Sequence, residues 1–372
     1  MQRFGTVLKR INAGNIFEWK KMTIPPSPVL HIAGCDKFLP PFIEFIKINF
    51  DFSQHQFVLS HGMGSNRVKK EKNIFSANPG IIQRLIFYLK FLQKAQKSKI
   101  IIMHGLFDPG LIILLAFQPW LLNRCHWAIW GGDLYDHELG RRAWKWKIKE
   151  FFKKIAIPKI GHFITHIKGD YELAQQWYGA KGRWHECFMY PSNLFKDYLI
   201  TPKPHEGINI LLGNSATPTN NHLDAMEKLR PFAGESIRIY CPLSYGDAAY
   251  AEQIAQAGQK IFGEKFIALR EFMPFEKYLE LLAEIDIAVF NHNRQQGMGN
   301  ITTLLGLGKV VYMRKEITSW TTLEKIGIHI YSIEKLDRLN KHEKGLIENT
   351  RLIAEYFSEK KLLLTWSNIF SK

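Results

Sequence analysis

The feature that most constrains this chain is an alternation that plays through twice. Short apolar runs of strand length are followed by amphipathic runs of helix length. In the first pass, strands are expected at 29–33, 56–60, 99–103, 127–130, 162–167 and near 187–190. Helices are expected at 42–50, 81–95, 111–122, 141–155 and 171–177. The stretch TPKPHEG (201–207), with two prolines and little apolar content, reads as a linker. The pattern then restarts, with strands at 208–212, 237–241, 265–269, 285–290 and 309–313. Helices are expected at 221–229, 250–262, 277–283 and 301–305, and the chain after 333 reads as helical. Strands that alternate with helices form a parallel sheet covered on both faces. The expected organisation is a basic extension at 1–27, an α/β domain at 28–202, and a second α/β domain at 203–372 that carries the C-terminal helices. Met22 offers an alternative start, which would leave the first 21 residues outside the protein.

Composition excludes some classes. With 46% hydrophobic and 23% charged residues in 372, the chain has material for real cores. Its longest apolar run, 111–122, is interrupted by Gln118 and Pro119, and a bilayer span needs about 20 residues. The four cysteines fit no metal or disulfide spacing. The net charge of +16 suits a partner that is anionic: a phosphorylated ligand, an anionic lipid surface or a nucleic acid. No nucleic-acid reader module accompanies the charge, so nucleic acid is the weakest of the three.

In open α/β sheets ligands bind beyond the carboxyl ends of the strands. In the first half those ends carry His104-Gly105, Gly131-Gly132-Asp133 and Tyr190-Pro191. In the second half they carry Gly213-Asn214-Ser215, Tyr245-Gly246, Phe272-Met273-Pro274 and the loop from Arg294 to Gly299. Two such domains would enclose a cleft with differently equipped walls. The most informative stretch is NHNRQQGMGNITTLLGLGKVVYM (291–313), a strand end, a Gly-rich loop, a short helix and a strand. Backbone N–H groups at a helix N-terminus approach an anion closely, and the helix dipole favours negative charge there. Arg294 adds a fork-shaped cation suited to phosphate oxygens. Gln295, Gln296, Gly297, Gly299 and Asn300 complete the candidate donor loop. The plainer alternative is a βαβ turn that needs glycine for its backbone. Gly213-Asn214-Ser215 reads either as a diphosphate contact or as a helix cap. Phe272-Met273 reads either as a nucleobase contact or as a hydrophobic staple for the helix that follows.

Three segments resemble one bacterial glycosyltransferase family. WAIWGGDLYD (127–136), ILLGNSATPTNNH (210–222) and RQQGMGNITTLL (294–305) are similar to signatures of the TDP-Fuc4NAc:lipid II Fuc4NAc transferases, and MHGLFDP (103–109) and CPLSYG (241–246) fall in the same order. Those enzymes add 4-acetamido-4,6-dideoxygalactose during enterobacterial common antigen assembly. The resemblance runs from about 29 to 333; the N-terminal extension and 66–78 lie outside it. It implies a GT-B architecture, two Rossmann-like domains facing a cleft. It also implies a dTDP-sugar co-substrate held mainly by the second domain, no metal and no other cofactor. The acceptor it implies is a polyprenyl-diphosphate-linked saccharide at the cytoplasmic face of the inner membrane.

Asp133, among Trp127, Trp130 and Tyr135, reads as a general base for an acceptor hydroxyl, as a positioning group, or as a cap for the following turn. His104 is the rival base, with a structural histidine as the plainer alternative. Gly105, Trp130, Gly131, Gly132 and Tyr135 form the expected acceptor wall. The pair Asp133 and Asp136 is not an Asp-x-Asp metal motif.

The segment RRAWKWKIKEFFKKI (141–155), wound at about 100° per residue, gathers Trp144, Ile148, Phe151, Phe152 and Ile155 on one face. Arg142, Lys145, Lys149 and Lys153 gather on another, with Trp146 beside them. The apolar face is expected to dock on the sheet. The basic face is then expected either to be solvated or to bind anionic lipid, the second giving peripheral membrane attachment.

Overall fold

Strands buried on both faces fix the architecture. The computed structural model describes residues 28–62, 68–69, 71–140, 142–196, 200, 202–341 and 345–371. The extension at 1–27, with Arg141 and Thr201 of the segments discussed above, lies outside the described residues. The first sheet contains β1 (Val29–Gly34), β2 (His55–Ser60), β3 (Ile74–Ser76), β4 (Ile100–His104), β5 (Cys125–Ala128), β6 (His162–Ile164) and β7 (Arg183–His185), in the order β3-β2-β1-β4-β5-β6-β7. The second contains β8 (Ile208–Leu212), β9 (Ile237–Pro242), β10 (Phe266–Leu269), β11 (Ile287–Phe290), β12 (Val310–Met313) and β13 (Tyr331–Ser332), in the order β10-β9-β8-β11-β12-β13. Every pairing between these strands is parallel.

The helices of the first half are α1 (Leu39–Asn49), α2 (Ile81–Ala95), α3 (Pro109–Ala116), α4 (Pro119–Leu122), α5 (Gly132–Leu139), α6 (Trp144–Ala156) and α7 (Lys168–Tyr178). Those of the second are α8 (His222–Leu229), α9 (Ala248–Phe262), α10 (Phe275–Glu284), α11 (Met298–Gly306), α12 (Thr318–Ile326), α13 (Leu346–Tyr356) and α14 (Glu359–Phe370). One apolar cluster covers the outer face of each sheet. A third runs through both domains, from Phe42 and Ile46 past Phe188 and Tyr190 to Ile301 and Leu304.

The last helix crosses back. Trp366 in α14 is fully buried, its ring centroid 5.1 Å from that of Phe42, and its Nε1 donates to the Met189 carbonyl at 2.8 Å. Phe370 stands edge-on to His31 and His55. So α14 packs on the first sheet although it follows the second in sequence. The outgoing and returning segments meet where Phe195 N–H donates to the Phe357 carbonyl at 3.1 Å.

Three local expectations differ from the structure. The helix expected at 111–122 is broken at Phe117-Gln118, because Pro119 opens a new helix and cannot continue the old one. The last strand of the first sheet is Arg183–His185, not 187–190. The apolar residues Cys187, Phe188, Met189 and Tyr190 fill the shared core instead. The third difference is the rotation of α6. Of its apolar face, Trp144, Ile148 and Phe151 turn outward, 67%, 41% and 60% exposed, and Phe152 and Ile155 are half-buried, while Lys153 is fully buried.

A polar network explains that rotation. Lys153 Nζ donates to the Asp133 carbonyl at 2.7 Å and pairs with Glu150 at 3.1 Å. Glu150 also meets His137 and the Tyr178 hydroxyl. Burial opposes ionisation of Glu150, but Lys153, His137 and Tyr178 outweigh it and hold its pKa low. Lys149 pairs with Asp136, and Trp146 donates to the Asp136 carbonyl. Arg142 stacks over Trp146 at 4.1 Å and donates to the carbonyls of His137 and Glu138. Of the expected basic face, Lys145 alone among these five residues takes no part in the α5–α6 packing. A stripe of this composition therefore docks the helix inward, because each buried charge there has an opposite partner.

Trp366→Ala removes a fully buried ring and a hydrogen bond. The expected cost is about 3–5 kcal/mol in urea-denaturation stability.

Candidate active site

The first wall is built by loops that leave β1, β4, β5 and β6. Asp133, at the start of α5, is 1% exposed. Its Oδ2 accepts from Leu106 N at 2.9 Å and Trp127 Nε1 at 2.7 Å. Its Oδ1 accepts from Trp130 N at 3.0 Å and Leu134 N at 3.1 Å. Burial raises its pKa, and these donors, with nearby Lys153, pull against the rise. With four donors on two oxygens, the carboxylate spends its acceptor capacity on the protein. Of the three roles open to Asp133, the arrangement is that of a positioning cap.

His104 lies behind the wall. It is 2% exposed, with Nε2 3.1 Å from His31 Nδ1 and Nδ1 2.6 Å from the Tyr190 hydroxyl. Burial lowers its pKa to about 3. His31 in turn meets His55 Nδ1 at 3.0 Å, and Trp130 Nε1 donates to the Tyr190 oxygen at 2.8 Å. The histidines form a neutral buried chain whose end nearest the cleft is Tyr190.

Asp36 is a further carboxylate beyond a strand end of the first sheet. It follows β1, a central strand, and is only partly buried. Its Oδ1 accepts from Phe38 N at 2.7 Å. Burial pushes its pKa up to about 6, against its backbone donors and Lys37. The next residue, Lys37, reaches across the cleft and places its ammonium 4.8 Å from the ring centroid of Tyr245. The strand-end rule that singled out His104 and Asp133 applies equally to Asp36.

The second wall follows the sheet. Phe272, Tyr245, Asn214 and Arg294 lie beyond the ends of β10, β9, β8 and β11, four neighbouring strands. Phe272 is 77% exposed at the rim, with Met273 beside it in sequence. Asn214 Nδ2 donates to the Tyr245 hydroxyl at 3.1 Å, and Gln296 Nε2 donates to Asn214 Oδ1 at 3.2 Å. Thr219 donates to Gln296 Oε1 at 2.6 Å. Asn220 binds the Asn214 N–H and the Ser215 carbonyl, so Gly213-Asn214-Ser215 is an ordered turn. Gly246 bridges to Ala216. Helix α11 starts at Gly297, at φ +69°, and no side chain caps it. Gly299 lies in its first turn, and Asn300 Nδ2 donates to the Tyr278 hydroxyl. The backbone N–H groups of that turn are of the kind that receive anions.

The walls touch. A Cβ on Gly131 would stand 2.4 Å from Gln295 Oε1, so close approach of the two loops requires glycine. Gly132 and Gly105 flank the Phe107 ring. Tyr135, assigned to the acceptor wall, is locked in the seam: its hydroxyl lies 3.0 Å from both Asp170 Oδ1 and Thr318 Oγ1. Thr318 also donates to Asp170 at 2.6 Å. Burial raises the pKa of Asp170 to about 7, with Thr318 and Tyr135 opposing. Arg294 donates to the Gln295 carbonyl, and Tyr135, Asp170, Asp133 and Tyr245 all act on its charge. Its guanidinium is thus within electrostatic reach of both walls.

One histidine cluster escaped the sequence reading because its members are far apart along the chain. His126, His162 and His185 bring ring nitrogens within 4.8 Å of one another across β5, β6 and β7. The rings of His126 and His162 stack at 4.0 Å and 8°, and His162 Nδ1 lies 2.9 Å from His185 Nε2. Stacked rings point their nitrogens side by side, so a shared metal would require one ring to turn.

A family model described as 4-alpha-L-fucosyltransferase, glycosyl transferase group 56, matches residues 69–368. The chain belongs to that family. The resemblance carried by 127–136, 210–222 and 294–305 therefore holds. Among solved structures, Anabaena Alr3699/HepE in complex with UDP matches with TM-score 0.64 at 11% identity, covering 92% of this chain and 99% of that one. WaaG, a glycosyltransferase involved in lipopolysaccharide biosynthesis, matches with TM-score 0.59 at 10% identity, covering 92% and 98%. Trehalose-6-phosphate synthase from E. coli, bound with UDP-2-fluoro glucose, matches with TM-score 0.60 at 10% identity, covering 93% and 98%. At these identities the likeness concerns the fold. The group 56 chain is a glycosyltransferase of GT-B fold, as the sequence led us to expect.

Two outcomes are expected. Asp133→Asn sets an amide N–H₂ against donors, costing about 1–3 kcal/mol of stability and depressing kcat, as denaturation and turnover measurements would read. Unchanged values for both would remove the positioning role. For Asp170, the folded pKa lies above the ordinary carboxylate value, so its contribution is complete at low pH and is lost as pH rises through about 7. The Tm of the wild type should fall across that window more steeply than that of Asp170→Asn.

Proposed function

We propose that this enzyme transfers a 4-acetamido-4,6-dideoxyhexose from a dTDP-sugar to a polyprenyl-diphosphate-linked saccharide. A nucleotide-sugar glycosyltransferase is what the family and the fold support. The single observation that carries the reading is the row Phe272, Tyr245, Asn214 and Arg294, which ends at the uncapped start of α11 and is met from the first wall by Lys37 at Tyr245. A nucleotide laid along that row puts its base toward Phe272 and its diphosphate between Asn214 and Arg294. The solved structures of HepE and of the E. coli synthase, which hold UDP and a UDP-sugar, are consistent with such a donor.

In this reading the acceptor hydroxyl attacks the anomeric carbon, and Asp36 receives its proton. The nucleoside diphosphate departs as oxocarbenium character develops. Its growing charge is met by Arg294, by the amide of Asn214 and by the first turn of α11, all in place before the reaction. The residues of that row are amide, hydroxyl, aromatic and guanidinium groups, so neutralisation is assigned to the protein and not to a bound metal. The closed seam at Gly131 and Gln295 limits the entry of water, a competing acceptor.

The acceptor's lipid places the enzyme, in this proposal, at the cytoplasmic face of the inner membrane. Among the described residues no helix is long and apolar enough to cross a bilayer. The face that suits peripheral attachment is the outward apolar side of the first domain. It comprises Trp144, Ile148 and Phe151 of α6, Phe117 and Trp120 beside them, and Ile81, Ile82, Leu85 and Leu89 of α2. These residues sit on helices that cover the same face of the first sheet. Exposed lysines, Lys145, Lys147 and Lys154, flank the α6 stripe. Apolar residues with basic flanks are the composition of an interfacial surface.

Four measurements test this. Transfer from dTDP-4-acetamido-4,6-dideoxygalactose should exceed transfer from other dTDP- and UDP-sugars, and equal rates with all donors would remove the donor assignment. Arg294→Ala should lower kcat/KM by about 2–4 kcal/mol, whereas Asp36→Asn should lower kcat about 10²–10⁴-fold with donor affinity kept. Because the base must be ionised, wild-type kcat/KM should fall below pH about 6, the pKa of Asp36. Co-sedimentation with anionic vesicles should be lost in Trp144→Ser/Ile148→Ser/Phe151→Ser, and retention would move the docking face elsewhere.

A further inference from the structure

The interdomain cleft does not end at the seam. Beyond Tyr135, Asp170 and Thr318, on the side away from Arg294, lies a second compartment of about 760 Å³. One wall is α7 with the end of β7; the other is α12, with α13 and α14 closing the far side. The volume falls within the range of small-molecule sites. Nothing in the transfer reaction described above uses it.

Its floor holds an unexplained polar group. His166 lines the compartment and is only 4% exposed, yet neither ring nitrogen has a hydrogen-bond partner among the described residues. One edge of the ring packs at 84° on Phe357. A buried imidazole left without partners costs free energy, and groups of this kind are commonly satisfied by a ligand or a water. Burial lowers the His166 pKa to about 4, so the ring is neutral and offers one donor and one acceptor. That is the complement of a hydroxyl group.

The walls agree with the floor. Three lysines and four glutamates line the compartment, so positive charge does not predominate and a simple anion is not favoured. Trp184 and Tyr356 contribute aromatic rings and Thr321 a hydroxyl, while the hydroxyls of Thr318 and Thr322 are bonded to Asp170 and to the Thr318 carbonyl. Trp184 is held by donation to the Thr165 carbonyl at 2.9 Å, and Tyr356 by donation to Glu186. Rigid rings with alternating donors and acceptors recognise a polyhydroxylated ring, apolar on its faces and polar at its rim.

We propose that this compartment is a second saccharide site, separate from the donor and acceptor sites, taking a neutral sugar unit between α7 and α12 with His166 bonded to one of its hydroxyls. The occupant touches both domains, so its binding favours the arrangement in which Gly131 meets Gln295. The inference does not depend on which donor sugar the enzyme uses.

Saturation-transfer NMR on the full chain tests it, with cellobiose, maltose and N,N′-diacetylchitobiose as probes at millimolar concentration. At least one should receive saturation from the wild type, and dTDP should not displace it. His166→Phe keeps the ring that packs on Phe357 but removes both nitrogens, and Thr321→Trp fills the compartment from the opposite wall. Each should weaken the bound probe by about tenfold or more, with a Tm close to that of the wild type. No transfer to any probe, displacement by dTDP, or an unchanged Kd in both variants would overturn the proposal. Displacement by dTDP would leave the donor row intact, so the two readings fail separately.

Discussion

The first wall of the cleft depends on one carboxylate. Asp133 gathers donors from Leu106, Trp127, Trp130 and Leu134, and so ties the loop after β4 to the loop after β5. Loops that carry ligands are seldom held by packing alone, since their backbone groups need partners. Here the partner is an anion buried beside the ammonium of Lys153, which holds the Asp133 carbonyl from below. Lys153 is itself neutralised by Glu150 at 3.1 Å, so removing its ammonium would leave the buried Glu150 carboxylate without its ion partner and the Asp133 carbonyl without a donor. The same Lys153 sets the rotation of α6, and with it which side of that helix faces outward. The geometry of the acceptor wall and the character of the outer surface thus share one cause.

The second wall is held by a different chemistry. Its turns are joined by amides and hydroxyls, from Asn214 to Gln296 to Thr219, without a buried charge except Arg294. Neutral groups cost less to desolvate than ions, and they leave the guanidinium and the first turn of α11 to meet whatever anion enters. The division suits the reaction. In the proposed reaction the diphosphate leaves along the wall of amides and hydroxyls that carries Arg294. The opposite wall carries carboxylates in contrasting surroundings, Asp133 saturated with donors and Asp36 partly open.

Much of this was legible in the sequence where one element speaks for itself. The strand at 208–212 and the helix at 81–95 match their structural bounds, because continuous apolar runs and a 3.6-residue period are local signals. The strand-end positions of Gly213, Tyr245, Phe272 and Arg294 were also legible, since all four follow apolar runs. The edge strands β3 and β7 were not. In β3 three residues pair on one side only, and in β7 the sequence is Arg-Trp-His, so neither carries a buried-strand pattern. The rotation of α6 was misread because a stripe of Arg and Lys looks solvated until Asp136 and Glu150 are seen opposite it. Asp170 and the chain from His55 to Tyr190 owe their character to partners many residues away. Their chemistry exists only once the sheets have formed.

The twofold crossing between domains has a mechanical consequence. A chain that passes once between two bodies leaves them free to swing and twist about a single tether. Here the outgoing segment near Phe195 and the return at Phe357 are bonded side by side, and α14 is clamped into the opposite body by Trp366. Two adjacent supports define an axis. Twisting out of that axis strains both, whereas rotation around it strains neither, so the relative motion is reduced toward one degree of freedom. The loops bearing Asp36 and Arg294 then approach and separate along a fixed arc, and each closure returns them to the same register.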